Sequence, residues 1–379
     1  MKFRCDKNKL MEITSVVQKA IPAKTTMPVL ECIKIDAFPE GYVIFTGNNM
    51  ELCIEYKCEM QVFEGGTIAL ASKMFCEIVR KLPDGIVDVT VNEENNITKI
   101  QCGISEFNIQ GIVAGEFPDP PVLEEQYRFS LKQVDLKRII RRTLPFTAVT
   151  EGKRPALTGN LYEISNGVLK VAASDAHRLA VVNIGLENVS GDYKVIIPGA
   201  TLRELSKILK DDEEKITVIA AERYVMLQFP EFKVYSRLVE GEFIKYEAIL
   251  NASNTMRLYA DTRLLRESLE RALLLINDDS SGSESKVPVR LNIGFDKVEV
   301  SCMTGKGKVN DAVDVRIEGD GQLSIGFNCR FLLDALACCE EEFVKIELST
   351  PTSGCFIRSL NEEEREKYTF MVLPVRLYN

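Results

Sequence analysis

The chain has 379 residues, 45% hydrophobic and 27% charged, which excludes a disordered or fibrous protein and exceeds one ordinary domain. Its 47 Lys and Arg against 56 Asp and Glu leave a net charge of −9, so a uniform surface would repel a nucleic-acid backbone. The longest apolar run near a helix, Ala272 to Ile276, falls far short of the ~20 residues that span a bilayer, and no membrane partner is expected.

The opening Met1-Lys2-Phe3-Arg4-Cys5-Asp6 lacks a secretory apolar core and points to a cytoplasmic location. Eleven cysteines, an odd number with no Cys-x-x-Cys pair, fit reduced thiols used as small core hydrophobes. With His177 as the one histidine, neither a multi-histidine metal site nor a cofactor is implied.

Helical periodicity predicts helices over Lys7–Ala20, Ser72–Leu82, Ser130–Arg142, Gly199–Leu209, Asp261–Ile276 and Asn328–Cys339. Leu10, Ile13 and Val17 mark the inward stripe of the first, and Leu136, Ile139 and Ile140 that of the third. Alternating runs such as Val87–Val91 and Lys215–Ile219 read as half-buried strands joined by short turns. The class is α+β with antiparallel sheets, since short turns leave no room for parallel crossovers.

The elements recur. Pro28, Pro155 and Pro288 each lead a strand pair and stand 127 and 133 residues apart. An apolar strand runs into a helix at Ser72, Gly199 and Asn328, residue types suited to an N-cap, spaced 127 and 129 apart. Ala114-Gly115-Glu116-Phe117 matches Glu240-Gly241-Glu242-Phe243. The period has domain size, so three tandem domains are expected at 1–121, 128–250 and 254–379. Their linkers are Pro118-Asp119-Pro120-Pro121 and Asn251-Ala252-Ser253-Asn254.

Charge follows these elements. The four helices of the first two repeats, the last counted through Lys210, total +10, leaving about −19 for the remainder, while the two helices of the third repeat are neutral. Lys and Arg are good helix formers and decorate solvated faces, but repetition in equivalent helices also fits one basic face for a phosphate backbone. Neither a recognition helix nor an aromatic-studded basic strand is present, so such binding would be sequence-independent.

Several motifs carry two readings. Asp175 and His177, two apart on a strand, would share a face as an oriented base, the start of a hydrolase site; no Gly-x-Ser-x-Gly elbow accompanies them, which favours a pocket or structural role. Gly305-Lys306-Gly307-Lys308 lacks the spacing of a phosphate loop and reads as a basic hairpin turn. Asp278–Glu284 reads as a solvated acidic loop, and Glu340–Glu342 and Glu362–Glu364 as exposed acidic edges.

Over its full length the chain resembles the bacterial DNA polymerase III beta subunit, the sliding-clamp family. The resemblance rests on Met1-Lys2-Phe3, Met27-Pro28-Val29-Leu30, Ser174-Asp175-Ala176-His177-Arg178-Leu179-Ala180, Phe327-Asn328 with Leu332-Leu333-Asp334, and Leu373-Pro374-Val375-Arg376-Leu377. It implies three copies of a DNA-clamp domain, and a non-catalytic head-to-tail homodimer whose ring encloses double-stranded DNA. It implies partners as well: the replicative polymerase, the clamp loader and other proteins carrying clamp-binding peptides.

The family's peptide pocket maps to Leu157, Ser174, Ala176, His177, Arg178, Leu179, Ile244, Ile249, Gly354, Met371, Leu373, Pro374, Val375, Arg376 and Leu377. It departs from the family pattern at Ala176, Ile244 and Ala248, where a Gly, a Pro and an Arg are usual. DNA contacts map to Lys24 and to Lys73, Arg80, Lys81, Arg138, Arg141, Arg142, Arg203 and Lys207 on the helices. Gly199 and Ala200 replace two residues that are usually basic. The dimer seam would set Leu274 and Leu275 against Phe107 and Ile109 of a partner; ordinary core packing of all four is the competing expectation. A triplicated protein-binding scaffold that never encircles DNA is the alternative function.

Overall fold

The computed structural model describes residues 1–377 except 151, 188, 190, 252, 279–286, 320 and 361–365. Glu362–Glu364 therefore lie outside the described residues, and of the acidic loop only Asp278, at a helix end, lies within them.

Two compact units form, one from residues 1–136 with 204–238 and one from 137–203 with 239–379. The division cuts through the middle repeat because consecutive repeats share continuous sheets. In the first unit an eight-stranded antiparallel sheet joins four strands of the first repeat to four of the second. The joint is the ladder between Leu52–Glu59 and Phe232–Arg237, with Leu52 opposite Ser236 and Tyr56 opposite Phe232. A five-stranded sheet completes this unit, with Ser105–Gln110 at one end. The second unit holds a twelve-stranded sheet. Its joint pairs Arg178–Gly185 with Glu366–Val372, Arg178 opposite Val372.

The helices form where sequence periodicity places them, at Lys7–Val17, Ser72–Lys81, Gln133–Thr143, Gly199–Ile208, Thr262–Asp278 and Cys329–Ala337. Asp6 opens the first by accepting the N–H groups of Asn8 (2.8 Å) and Lys9 (3.2 Å), satisfying donors that a helix start leaves unpaired. Leu10, Ile13 and Val17 are fully buried, worth roughly 1.5–3 kcal/mol each. Asn328 caps the last helix through the Arg330 N–H at 3.0 Å.

Several boundaries depart from the sequence expectation: Gly199, like Ser72, is the first residue of its helix rather than its N-cap, and Asp261 ends the strand Met256–Asp261. Ala71 holds the N-cap position expected of Ser72, which is buried as the first helical residue. Ser130–Lys132 belong to the strand Tyr127–Lys132, because alternation of Phe129 and Leu131 into the core outweighs helical propensity there. Pro28–Glu31 and Pro155–Thr158 are short 3₁₀ turns entering strands, while Pro288 stands directly before the strand Val289–Ile293. All eleven cysteines are unpaired, ten of them buried. Burial pushes the Cys5, Cys338 and Cys355 thiols up to about 12.

Candidate functional site

Each repeat carries the same turn before its junction strand. A side-chain oxygen accepts the N–H two residues on: Asn49 from Glu51 (3.0 Å), Asp175 from His177 (2.9 Å) and Thr304 from Lys306 (3.2 Å). In the first two turns the next residue, Met50 or Ala176, is held at φ 74°, a left-handed conformation that side chains seldom adopt. Matching these turns makes Leu52, Arg178 and Gly307 equivalent positions.

In the second unit this turn borders an apolar cluster. Leu157, Leu179 and Met371 are buried in it with Leu161, Val181, Phe243, Tyr246 and Phe356, and Ile244, Ile249 and Leu250 pack against its edge. Gly354 allows the close approach of Met371: a Cβ there would lie 3.1 Å from the Met371 Sδ. Ser174 braces the rim, donating to the Arg178 carbonyl at 2.7 Å and accepting the Ala176 N–H at 3.1 Å.

Arg178 anchors the same rim. Its guanidinium donates to Asp175 (2.8 Å), Asp334 (2.5 Å) and the Pro145 carbonyl (2.6 Å), and lies 4.3 Å from the Phe331 ring centroid. Charge-assisted bonds of this kind are about twice as strong as neutral ones. Asp175 is thus committed to backbone N–H groups and to Arg178. Asp175 and His177 sit in a turn rather than on one face of a strand, which removes the geometry of an oriented base. The exposed His177 ring stacks 6.3 Å from that of Phe331.

The C-terminal segment crosses this region. Leu373 donates its N–H to the His177 carbonyl at 2.9 Å, and Val375 to that of Gly326 at 2.8 Å. Gly326 is a close approach, since a Cβ there would meet Leu377 at 2.6 Å. Leu373, Val375 and Arg376 are exposed, and Pro374 is half-buried. Of the residues mapped through the resemblance, Leu157, Leu179, Met371, Ile244 and Ile249 meet in this cluster and Leu373 reaches the His177 turn, with Val375 and Leu377 at the Gly326 end. Sequence reading missed Tyr246, Phe356 and Val181; only Phe243 had a signal, its repeat match to Phe117.

The basic helices divide. Lys73, Arg80 and Lys81 are exposed on Ser72–Lys81 and carry no ion pair among the described residues. Lys24 and Arg203 are exposed, and the exposed Lys207 pairs with Glu204 at 2.7 Å. Gln133–Thr143 differs: Arg142, 6% exposed, meets Glu366 at 2.6 Å, and Arg138 meets the same carboxylate at 3.1 Å. Glu340 faces Arg138, Arg141 and Arg142. Burial would raise the Glu340 carboxyl, but Arg141, Arg142 and Arg138 outweigh it and hold the group below its ordinary value. The +3 of Gln133–Thr143 is thus largely offset within the unit, and Arg142 is withdrawn from any exposed basic face.

The third group of residues lies at open edges. Leu52–Glu59 and Arg178–Gly185 are each paired on both sides, once within a repeat and once to the next. In the equivalent Gly307–Glu318, residues 307–314 pair only with Lys297–Thr304 among the described residues. Ser105–Gln110, equivalent to Phe232–Arg237, is an open sheet end. Beside these edges Leu274 is 70% and Phe107 38% exposed, whereas Ile109 is buried. Gly305-Lys306 forms the two-residue turn of a hairpin, as its sequence suggests. Among the described residues no group of three or more Cys, His, Asp or Glu is placed to hold a metal, and no helix is long and apolar enough to cross a membrane.

The three repeats match the N-terminal, central and C-terminal domains of the DNA polymerase III beta subunit over residues 1–121, 130–245 and 248–376. The chain is 34% identical to a beta sliding clamp of Halalkalibacterium halodurans and 32% identical to that of Bacillus subtilis, covering 100% of each chain. Its fold matches the crystal structure of the Bacillus subtilis sliding clamp with a TM-score of 0.92 at 31% identity. A putative DNA polymerase III beta subunit from Eubacterium rectale gives 0.91 at 34%, both over 100% of each chain. The chain belongs to the DNA polymerase III beta subunit family, the bacterial sliding clamps.

Proposed function

We propose that this chain is the processivity factor of a DNA polymerase, a non-catalytic homodimeric ring that encircles duplex DNA in the cytoplasm. The observation that carries the reading is the unused pair of edges. Two junctions already join one kind of edge to another, and a third copy of each kind stands open. Applying the Leu52–Ser236 and Arg178–Val372 registers sets Gly307 opposite the partner subunit's Ile109, and Val309 opposite the partner subunit's Phe107. Leu275 lies within 4 Å of where a Gly307 Cβ would stand, so an apolar seam with Leu274 would flank the ladder. Head-to-tail pairing at both ends closes a ring and pairs both of these open edges.

Exposed Lys24, Lys73, Arg80, Lys81, Arg203 and Lys207 supply backbone-directed attraction that reads no sequence. A closed ring cannot leave closed circular DNA, so this attraction can stay weak and sliding fast. The apolar cluster around Leu157, Leu179 and Met371, rimmed by the Ser174–Arg178 turn, suits a short peptide with Leu or Phe anchors. Through it the ring would hold the replicative polymerase, the clamp loader and other DNA-processing proteins.

The test is retention on plasmid after loading by the clamp loader. Protein should stay on closed circles at raised salt and leave once the DNA is cut to a linear form. Retention unchanged by linearisation, or a monomer by sedimentation, would leave a scaffold that does not encircle DNA.

A further inference from the structure

The first junction holds a cleft of about 150 Å³ whose lining repeats, position for position, the peptide pocket of the second. Met50, Glu51, Cys53, Pro118, Tyr224 and Tyr235 line it. By the ladder registers, and for Pro118 by the match of Phe117 with Phe243, they correspond to Ala176, His177, Leu179, Ile244, Gly354 and Met371. The backbone device is shared too. Met50 and Ala176 have the same φ of 74°, each held by an Asx turn, and non-glycine residues in that region persist where surrounding structure enforces them.

The framework is kept while the chemistry changes. Tyrosines replace Gly354 and Met371, a carboxylate replaces the imidazole of His177, and a thiol replaces Leu179. Asp119 also lines the cleft. Its side chain is 86% exposed and that of Glu51 61%. Their ion pairs, with Lys34 at 3.4 Å and Arg237 at 3.5 Å, are long surface pairs that exchange at little cost. A 150 Å³ space admits one ring-sized group. Two tyrosines and two carboxylates favour a flat cation over an aliphatic side chain.

We infer that this cleft is a second docking site, for an arginine-bearing peptide segment of a partner protein that inserts one guanidinium between Glu51, Asp119 and the two tyrosines. The inference rests on the peptide-pocket reading of the second junction only for the comparison of frameworks.

Methionine methyl groups separate the two sites, since Met50 reports on the first and Met371 on the second. The full-length protein, labelled with 13C at the methionine methyls, is titrated with acetyl-Gly-Arg-Gly-amide and with its citrulline analogue, equal in shape but uncharged. Met50→Leu assigns the reporter. The arginine peptide should shift the Met50 resonance saturably in the millimolar range and leave Met371 unmoved. The citrulline peptide, or the combined Glu51→Gln and Asp119→Asn variant, should weaken binding about tenfold.

A Met50 resonance that stays fixed, or that responds equally to citrulline or in the double variant, overturns the inference. So does an equal shift of Met50 by a Leu- and Phe-anchored peptide, which would make the cleft a duplicate apolar slot. Should that same peptide fail to move Met371, the second-junction pocket falls while the Met50 result stands separately.

Discussion

Arg142 offers a sharp test, because sequence reading assigns it to DNA and the structure assigns it to the protein's own interior. Its guanidinium meets Glu366 at 2.6 Å, with both side chains 7% exposed, and lies 4.6 Å from the Tyr368 ring centroid. Arg142→Gln keeps a polar side chain but leaves the Glu366 carboxylate buried and short of one charged partner. Breaking a buried pair in this way costs about 3–5 kcal/mol. The Arg138 pairing at 3.1 Å compensates in part, which sets the expectation near 3 kcal/mol.

With a urea slope of roughly 3 kcal/mol/M, the unfolding midpoint should drop by about 1 M. Glu366→Gln should recover much of that loss in the double variant, since the orphaned charge is then gone. In parallel, the salt dependence of DNA association should be unchanged by Arg142→Gln. An unaltered urea midpoint, together with a salt slope reduced by ~1, would mean that Arg142 binds phosphate, and its interior role would be refuted.

Four further outcomes are expected. Lys73→Ala, Arg80→Ala and Lys81→Ala should each weaken DNA association and lower the salt slope by about 0.9 for every phosphate no longer neutralised, with urea stability changed by less than ~0.5 kcal/mol. Asn310→Pro removes one outward-facing backbone donor from the proposed inter-subunit edge, so sedimentation should show the dimer dissociating at least tenfold more readily. Gly354→Val drives a side chain against Met371, and fluorescence anisotropy with a Leu- and Phe-anchored peptide should show binding at least tenfold weaker, with the dimer intact. Because the Glu340 carboxyl is held below its ordinary value, its ion pairs stabilise fully above the usual carboxylate range and are lost as pH falls through the lower folded value. Urea midpoints of wild type and Glu340→Gln should therefore converge as pH falls below the usual carboxylate range, and a constant gap would contradict that assignment.

Much of the protein was legible in local pattern. Leu10, Ile13 and Val17, or the alternation through Val87–Val91, name their own elements, because a period of 3.6 or 2 is what one buried face imposes on any chain. The repeats were legible for the same reason: each copy must bury the same face with the same turns. Repeat spacing could not show that the compact units cut through the middle copy, since that division comes from ladders such as Arg178 against Val372.

Charge marks the boundary most clearly. Summed along helices, Lys73, Arg80 and Lys81 count the same as Arg138, Arg141 and Arg142. Only the fold brings Glu366 to Arg142 across 224 residues of chain, turning that guanidinium inward and leaving Lys73, Arg80 and Lys81 in solvent. Periodicity and spacing thus determined the α+β class and the triplicate plan, and resemblance of motifs the family. Tertiary structure decided which cations are exposed, which edges stay open and which clefts form, because each depends on partners that sequence order does not place side by side.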